Sequence, residues 1–170
     1  MKLIVAMKTI KELQLKAQDL RDKVQKHCAN LSFETPVYEN QSEQVKQWIQ
    51  AHTDINREIL KLRFAIQKTN VATDVTIELG GKSVTKTIAE WIHRRRDLAK
   101  LDMEMWSALT DRGLKEQNVQ ATPGGQVTEV RIRRYYDPLR RDQMIELYRA
   151  EPNIIDRTLE VVNATTEVVA

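Results

Sequence analysis

From Val45 to Thr69 the residues Val45, Trp48, His52, Ile55, Ile59, Leu62, Ile66 and Thr69 follow one another at steps of three and four without a break. That spacing keeps the whole row on one face of an α-helix. Asn40 with Glu43 three residues on has the form of a capping box, so the helix starts close to Asn40. About 30 residues at 1.5 Å each make a rod of some 45 Å. This is more than a compact core needs, and it suits an antiparallel helical hairpin or a coiled-coil arm.

The segment before it has the same character. Leu3, Met7, Ile10, Leu13, Ala17, Leu20, Val24, Cys28 and Leu31 form one narrow apolar stripe. Thr35-Pro36 is a poor helical pair, because proline drives its predecessor into extended backbone, and the first helix is expected to end near Asn30. Cys28 is the only cysteine. On the stripe it reads as a small buried hydrophobe, and with no second thiol to pair with it fits a reducing compartment or an assembly that needs no disulfide.

At Asp74 the period changes from helical to alternating. Val75, Ile77 and Leu79 alternate with Asp74, Thr76 and Glu78, and Gly80-Gly81 can supply the positive φ angles of a two-residue hairpin turn before Ser83-Val84-Thr85 returns. Thr87 with Glu90 then caps a helix carried by Ile88, Trp91, Ile92, Leu98, Leu101, Met105, Ala108 and Leu109, with Gly113 as its stop. Leu114 to Gln126 reads as loop. Val127 to Tyr135 alternates again and is expected to pair with the hairpin, since two strands alone are marginal. Asp137-Pro138 starts a last helix that Glu151-Pro152 is expected to kink or restart.

The predicted fold is mainly α. It is an elongated antiparallel bundle of four long helical segments with a small three-stranded antiparallel β element, hairpin 74–85 plus strand 127–135, in a single elongated helical domain over residues 1–170. Low aromatic content, 5%, beside 30% charged residues supports long helices packed along narrow seams over a compact sphere. The apolar run Leu3 to Met7 is too short for a signal-peptide core, and no stretch reaches the length of a membrane span. The chain is therefore expected to be made in the cytoplasm, with no membrane span.

The residues give no catalytic signature. His27, His52 and His93 lie on separate segments without the three or four convergent ligands of a metal site, and no nucleophile elbow is present. Gly80-Gly81-Lys82-Ser83 lacks the frame of a phosphate loop. Neither a cofactor nor a metal is expected, and the chain reads as no enzyme. The basic clusters 93–96 and 131–134, with Tyr135 and Tyr136 beside the second, have the mix of cations and aromatics used on single-stranded nucleic acid. Structural ion pairs formed by Arg94, Arg95, Arg131 and Arg133 are the favoured reading, with Glu90, Asp97 and Asp102 near enough to neutralise the first cluster.

Several strings carry a resemblance. ILKLRFAIQKTNVAT, followed by a glycine hairpin, KSVTKTIA and RRRDLAK, and at the end VVNATTEV, resemble the septicolysin-like family of small bacterial proteins. The positions that match are Thr69, Asn70, Thr73, Arg95, Arg96, Asp97, Asn163, Thr165, Thr166 and Glu167, within a likeness spanning residues 45 to 170. The chain departs from the pattern in its longer Leu114 to Gln126 loop, in Pro152 and beyond Glu167. The resemblance implies a fold, and its name implies a membrane-acting protein, but it brings no catalytic residue and no cofactor.

Striped helices leave apolar surface that one copy does not cover, and Trp48, Trp91 and Trp106 are rigid anchors for a partner. The expected function is that of a non-catalytic structural protein that self-associates through helical seams, on the scale of a component of a larger particle such as a phage virion. Its expected partners are further copies and other proteins of an assembly. The alternatives are a septicolysin-like pore-forming protein and a nucleic-acid binder using its arginines. The expected contact residues are Trp48, Trp91, Trp106, Arg94, Arg95, Arg131, Arg133, Tyr135 and Tyr136, with Gly80 and Gly81 forming the hairpin turn.

Overall fold

The computed structural model describes residues 1–169. The chain is mainly helical, in the order α1 (Leu3–His27), α2 (Gln41–Ala72), β1 (Asp74–Leu79), β2 (Lys82–Thr87), α3 (Ile88–His93), a π-helical turn (Arg94–Leu98), α4 (Ala99–Ser107), β3 (Gln117–Gln120), β4 (Val127–Val130) and α5 (Pro138–Thr165). It resolves into two compact units. One comprises Met1–Val75, Thr87–Ala89 and Leu159–Ala170, the other Thr76–Lys86 and Glu90–Thr158.

The first unit is built on α1 and α2, which pack antiparallel. Ile10, Leu13 and Ile59 form the buried cluster, with Ile55, Leu62 and Ile66 against it, all of them on the predicted stripes. Where the pair is joined, Tyr38 meets His27 and Trp48 edge on and the His27 and Trp48 rings are tilted to each other, with ring centroids 5.3–5.7 Å apart. The Asn40 side chain accepts from the Glu43 amide at 3.1 Å, as a helix cap should. Cys28 is exposed, against expectation. Because α1 ends at His27, Cys28 falls at its C-cap and beyond the seam.

At the other end α1 has no side-chain cap. The first amides of a helix need outside acceptors, and the C-terminal segment provides one. Leu3 N–H donates to the Thr166 carbonyl at 3.0 Å, and Val168 N–H donates to that of Met1 at 2.8 Å. Glu167 bridges the Met1 ammonium at 2.6 Å and Lys2 Nζ at 2.9 Å. The buried Thr69 hydroxyl, near the end of α2, donates to Ala65 and accepts from the Val169 amide.

In the second unit the hairpin turn is as predicted, with Gly80 at φ +57° and Gly81 at φ +76°. A side chain on Gly80 would meet Leu147 of α5, whereas one on Gly81 would meet nothing. The expected third strand is not there. Residues 127–130 pair instead with Gln117–Gln120, in the register Gln117 with Val130 to Gln120 with Val127, so two separate two-stranded sheets form. The local partner, only a short loop away, closes at a lower entropic cost than the distant hairpin. Gln117–Gln120, on the stretch read as loop, carries a single apolar residue, Val119, and so gave no alternation to read. Asp137 caps α5 through Leu139 N–H as expected. Pro152 does not restart the helix: α5 continues through it to Thr165.

Two outcomes follow. Glu167 titrates at about 2, below its ordinary 4.5, held down by hydrogen bonds from the N-terminal ammonium and then from Lys2. A carboxyl depressed on folding contributes stability above its unfolded value that is lost as pH falls through the folded one. The melting-temperature gap between wild type and Glu167→Gln is therefore expected to be full above pH 4.5 and to close towards pH 2. Gly80→Val should lower the melting temperature more than Gly81→Val, because it adds the Leu147 clash to the same left-handed strain. Thermal unfolding of the two variants checks the order.

Candidate functional site

The strongest concentration of charge inside the fold lies where α3 passes into α4. The sequence predicts one continuous helix there, but Arg94–Leu98 is a π-turn in which the Ala99 amide donates to the Arg94 carbonyl five residues back. Such a turn inserts one residue into the helical count. Before it Ile88 and Trp91 are buried; after it the inward row is Ala99, then the partly covered Met103 and Trp106. Leu98, Leu101 and Met105, three members of the apolar row read from the sequence, are exposed. This corrects the sequence reading of those three residues as core.

Arg94 holds the turn in place. Its Nε and Nη2 donate to the two carboxylate oxygens of Glu151 on α5 at 2.7 and 2.8 Å, its Nη1 donates to Asp102 at 2.6 Å, and its guanidinium lies 5.7 Å from the Tyr148 ring centroid. Glu151 is only 2% exposed. The bidentate pairing is the geometry in which arginine binds carboxylate most strongly. The Glu151 hydrogen bond, and behind it Asp102, raise the Arg94 pKa above its already high ordinary value, while burial works against them. One turn on, Arg95 donates to Asp156 of α5 at 2.7 Å. The pairing predicted for Arg94 and Arg95 is thus present, but its main acceptors come from α5. Arg96 pairs with Asp97.

The second basic cluster is also tied to its own chain. Arg131 contacts Glu116 and Glu129, and Arg134 grips Asp111 with two bonds of 2.7 Å. These pairs lower the Glu116 and Asp111 pKa values, with Arg131 and Arg134 respectively as the leading cause. Tyr136 is drawn in, its hydroxyl 3.4 Å from Asp111 and its ring under Arg141. Tyr135, 89% exposed, stays outside, as does Arg133, which has no acidic partner among the described residues. The stacking and phosphate elements are therefore reduced to these two side chains.

The tryptophans are placed differently from expectation. Trp91 is wholly buried and Trp48 nearly so, which makes both of them core, and Trp106 is partly covered on the inward row of α4. Large rings on a helical stripe give up the most apolar area by turning inward. The exposed apolar surface of α2 is carried by smaller side chains. Ile49, Leu60, Phe64 and Val71, all more than half exposed, recur at intervals of eleven, four and seven residues on the face opposite the α1 contact. Lys68 lies 5.2 Å over the Phe64 ring. That second stripe is legible in the sequence once the first is set aside. The part of Glu151 was hidden, because beside Pro152 it reads only as a helix interruption.

Eight of the ten positions that carry the resemblance fall into two structural groups. Thr69, Thr73, Thr165, Thr166 and Glu167 lie at the junction of α2 with the chain ends, and Arg95, Arg96 and Asp97 lie in the π-turn. Among the described residues no group of three or more His, Cys, Asp or Glu is arranged to hold a metal ion, and no helix is long and apolar enough to cross a membrane. The chain matches no family model, no curated protein and no solved structure.

Removing Glu151 leaves Arg94 Nε and Nη2 without their acceptors and only Asp102 to pair with, so Glu151→Ala is expected to cost about 3 kcal/mol. Replacing both partners, Arg94→Met with Glu151→Leu, should cost less than the sum of the two single changes. Urea unfolding of the four proteins measures this coupling, and simple additivity would show that the two side chains are not coupled.

Proposed function

We propose that this chain is an assembly protein that associates with further copies of itself through helical faces it leaves uncovered, with a role in association and not in catalysis. The observation that carries this reading is the two-faced α2. One face is committed to α1 through Ile59, and the opposite face presents Ile49, Leu60, Phe64 and Val71 to solvent. A regular apolar row along a helix is the pattern by which helices recognise other helices. Contiguous apolar surface on a folded chain marks an interaction site. The exposed row of α4 gives the same message independently. Kinship with the septicolysin-like proteins, resting on the shared sequence strings alone, belongs to the same proposal. Nucleic-acid binding has weaker support, since Arg94, Arg95, Arg131 and Arg134 all have carboxylate partners within the chain.

Light scattering over a concentration series tests the proposal. The average mass should rise above that of one chain as concentration increases. Leu60→Ser with Phe64→Ser should reverse that rise while leaving the helical circular dichroism unchanged, because both side chains are exposed. A constant monomer mass at every concentration contradicts it.

A further inference from the structure

Four cations and one aromatic ring are left free around a set of cross-ties in the second unit. Between Leu109 and Arg141 the chain has seven basic residues against four acidic ones, so this stretch alone matches the formal excess of +3 of the whole chain. Arg131 is paired with Glu116 and Glu129, Arg134 with Asp111, and Arg141 with Asp142. Arg112, Lys115, Arg133 and Arg140 form no ion pair among the described residues, and all four are exposed.

The paired residues bring the free ones to one place. Asp111 holds Arg134 with two bonds of 2.7 Å, Glu116 holds Arg131 at 2.9 Å, and Arg141 Nη1 donates to the Leu109 carbonyl at 3.0 Å. Residues 109–116 are thereby strapped alongside residues 131–141. Arg112, Lys115, Arg133, Tyr135 and Arg140 each stand next in the chain to a residue that makes one of these ties. Arg112 is also the one described non-glycine residue with positive φ, at +55°. That backbone is strained for a residue with a side chain, and strain held in place by its surroundings points towards function. Tyr135, 89% exposed, leaves nearly its whole ring in water beside Arg133.

We propose that this patch binds single-stranded nucleic acid, with the four free cations on phosphates and an unstacked base on Tyr135. Cations along a backbone with an aromatic platform among them are the combination that single strands fit, because every base has a face to stack. Arg131 and Arg134 do not serve as phosphate ligands here; their pairs assemble the patch. The proposal is independent of self-association, since no residue of the α2 or α4 rows takes part.

Fluorescence anisotropy of a short labelled oligothymidylate, titrated with the full chain over a salt series, tests it. The logarithm of the affinity should fall with the logarithm of salt at a slope of about −3, from about 0.7 for each of four phosphate contacts. Arg112→Ala with Arg133→Ala should roughly halve that slope. Tyr135→Ala should weaken binding about tenfold with the slope unchanged, and Tyr135→Phe should restore it, because a ring face is what the base needs. All these side chains are exposed, and circular dichroism melting is the control for folding. The proposal is overturned if the oligonucleotide does not bind, or if phosphatidylserine vesicles retain the chain while the oligonucleotide does not. It is equally overturned if inorganic polyphosphate binds as tightly and Tyr135→Ala changes nothing, which would leave a charge patch without base recognition.

Discussion

The interaction on which the arrangement around α4 depends is the buried pair of Arg94 and Glu151. A carboxylate withdrawn from water is expensive unless it is matched closely, and a bidentate guanidinium is the closest match available to a protein. Arg94 can offer its fork to α5 and its remaining nitrogen to Asp102 because the π-turn starts at that residue. The same turn decides which side chains of α4 face inward. One ion pair thus ties the π-turn to α5 at the point where the exposed row Leu98, Leu101 and Met105 begins.

The chain-end junction shows another way of satisfying backbone groups. Helix α1 lacks a capping side chain, and its first amide is met by Thr166 while Glu167 gathers the positive charges of Met1 and Lys2. Thr69, buried near the end of α2, accepts from Val169. These are polar contacts close to buried Leu3 and Ala6, where an unpaired group costs more than a bond gains. Residues that looked distinctive in the sequence, the threonines near position 70 and the Thr-Thr-Glu near the end, do structural work there.

Most of the fold was legible because it follows periodicity. The stripes of α1 and α2, the Asn40 and Asp137 caps and the Gly80-Gly81 turn all answer to local rules, and all lie where those rules put them. What escaped depends on distant partners. The π-turn has no sequence period of its own, the pairing of 127–130 with 117–120 needed a strand with hardly any apolar residues, and α5 passes through Pro152 with both neighbouring turns anchored by buried Glu151 and Ile155. At the candidate site the arginines were legible as ion-pair formers, but their acceptors were not. The tryptophans were misjudged for a related reason: a large ring on a stripe reads equally well as core or as contact, and burial is decided by what packs on it.

The central proposal is that the outer face of α2, with Leu60 and Phe64 exposed, is covered by another copy of the chain. A photoreactive phenylalanine analogue placed at Phe64 tests it directly. The protein is irradiated as a mixture of isotopically light and heavy chains, so that mass spectrometry of the cross-linked peptides separates adducts between copies from those within one. The account predicts adducts from Phe64 that join light to heavy chains. Adducts confined to a single chain, or none at all, would contradict it.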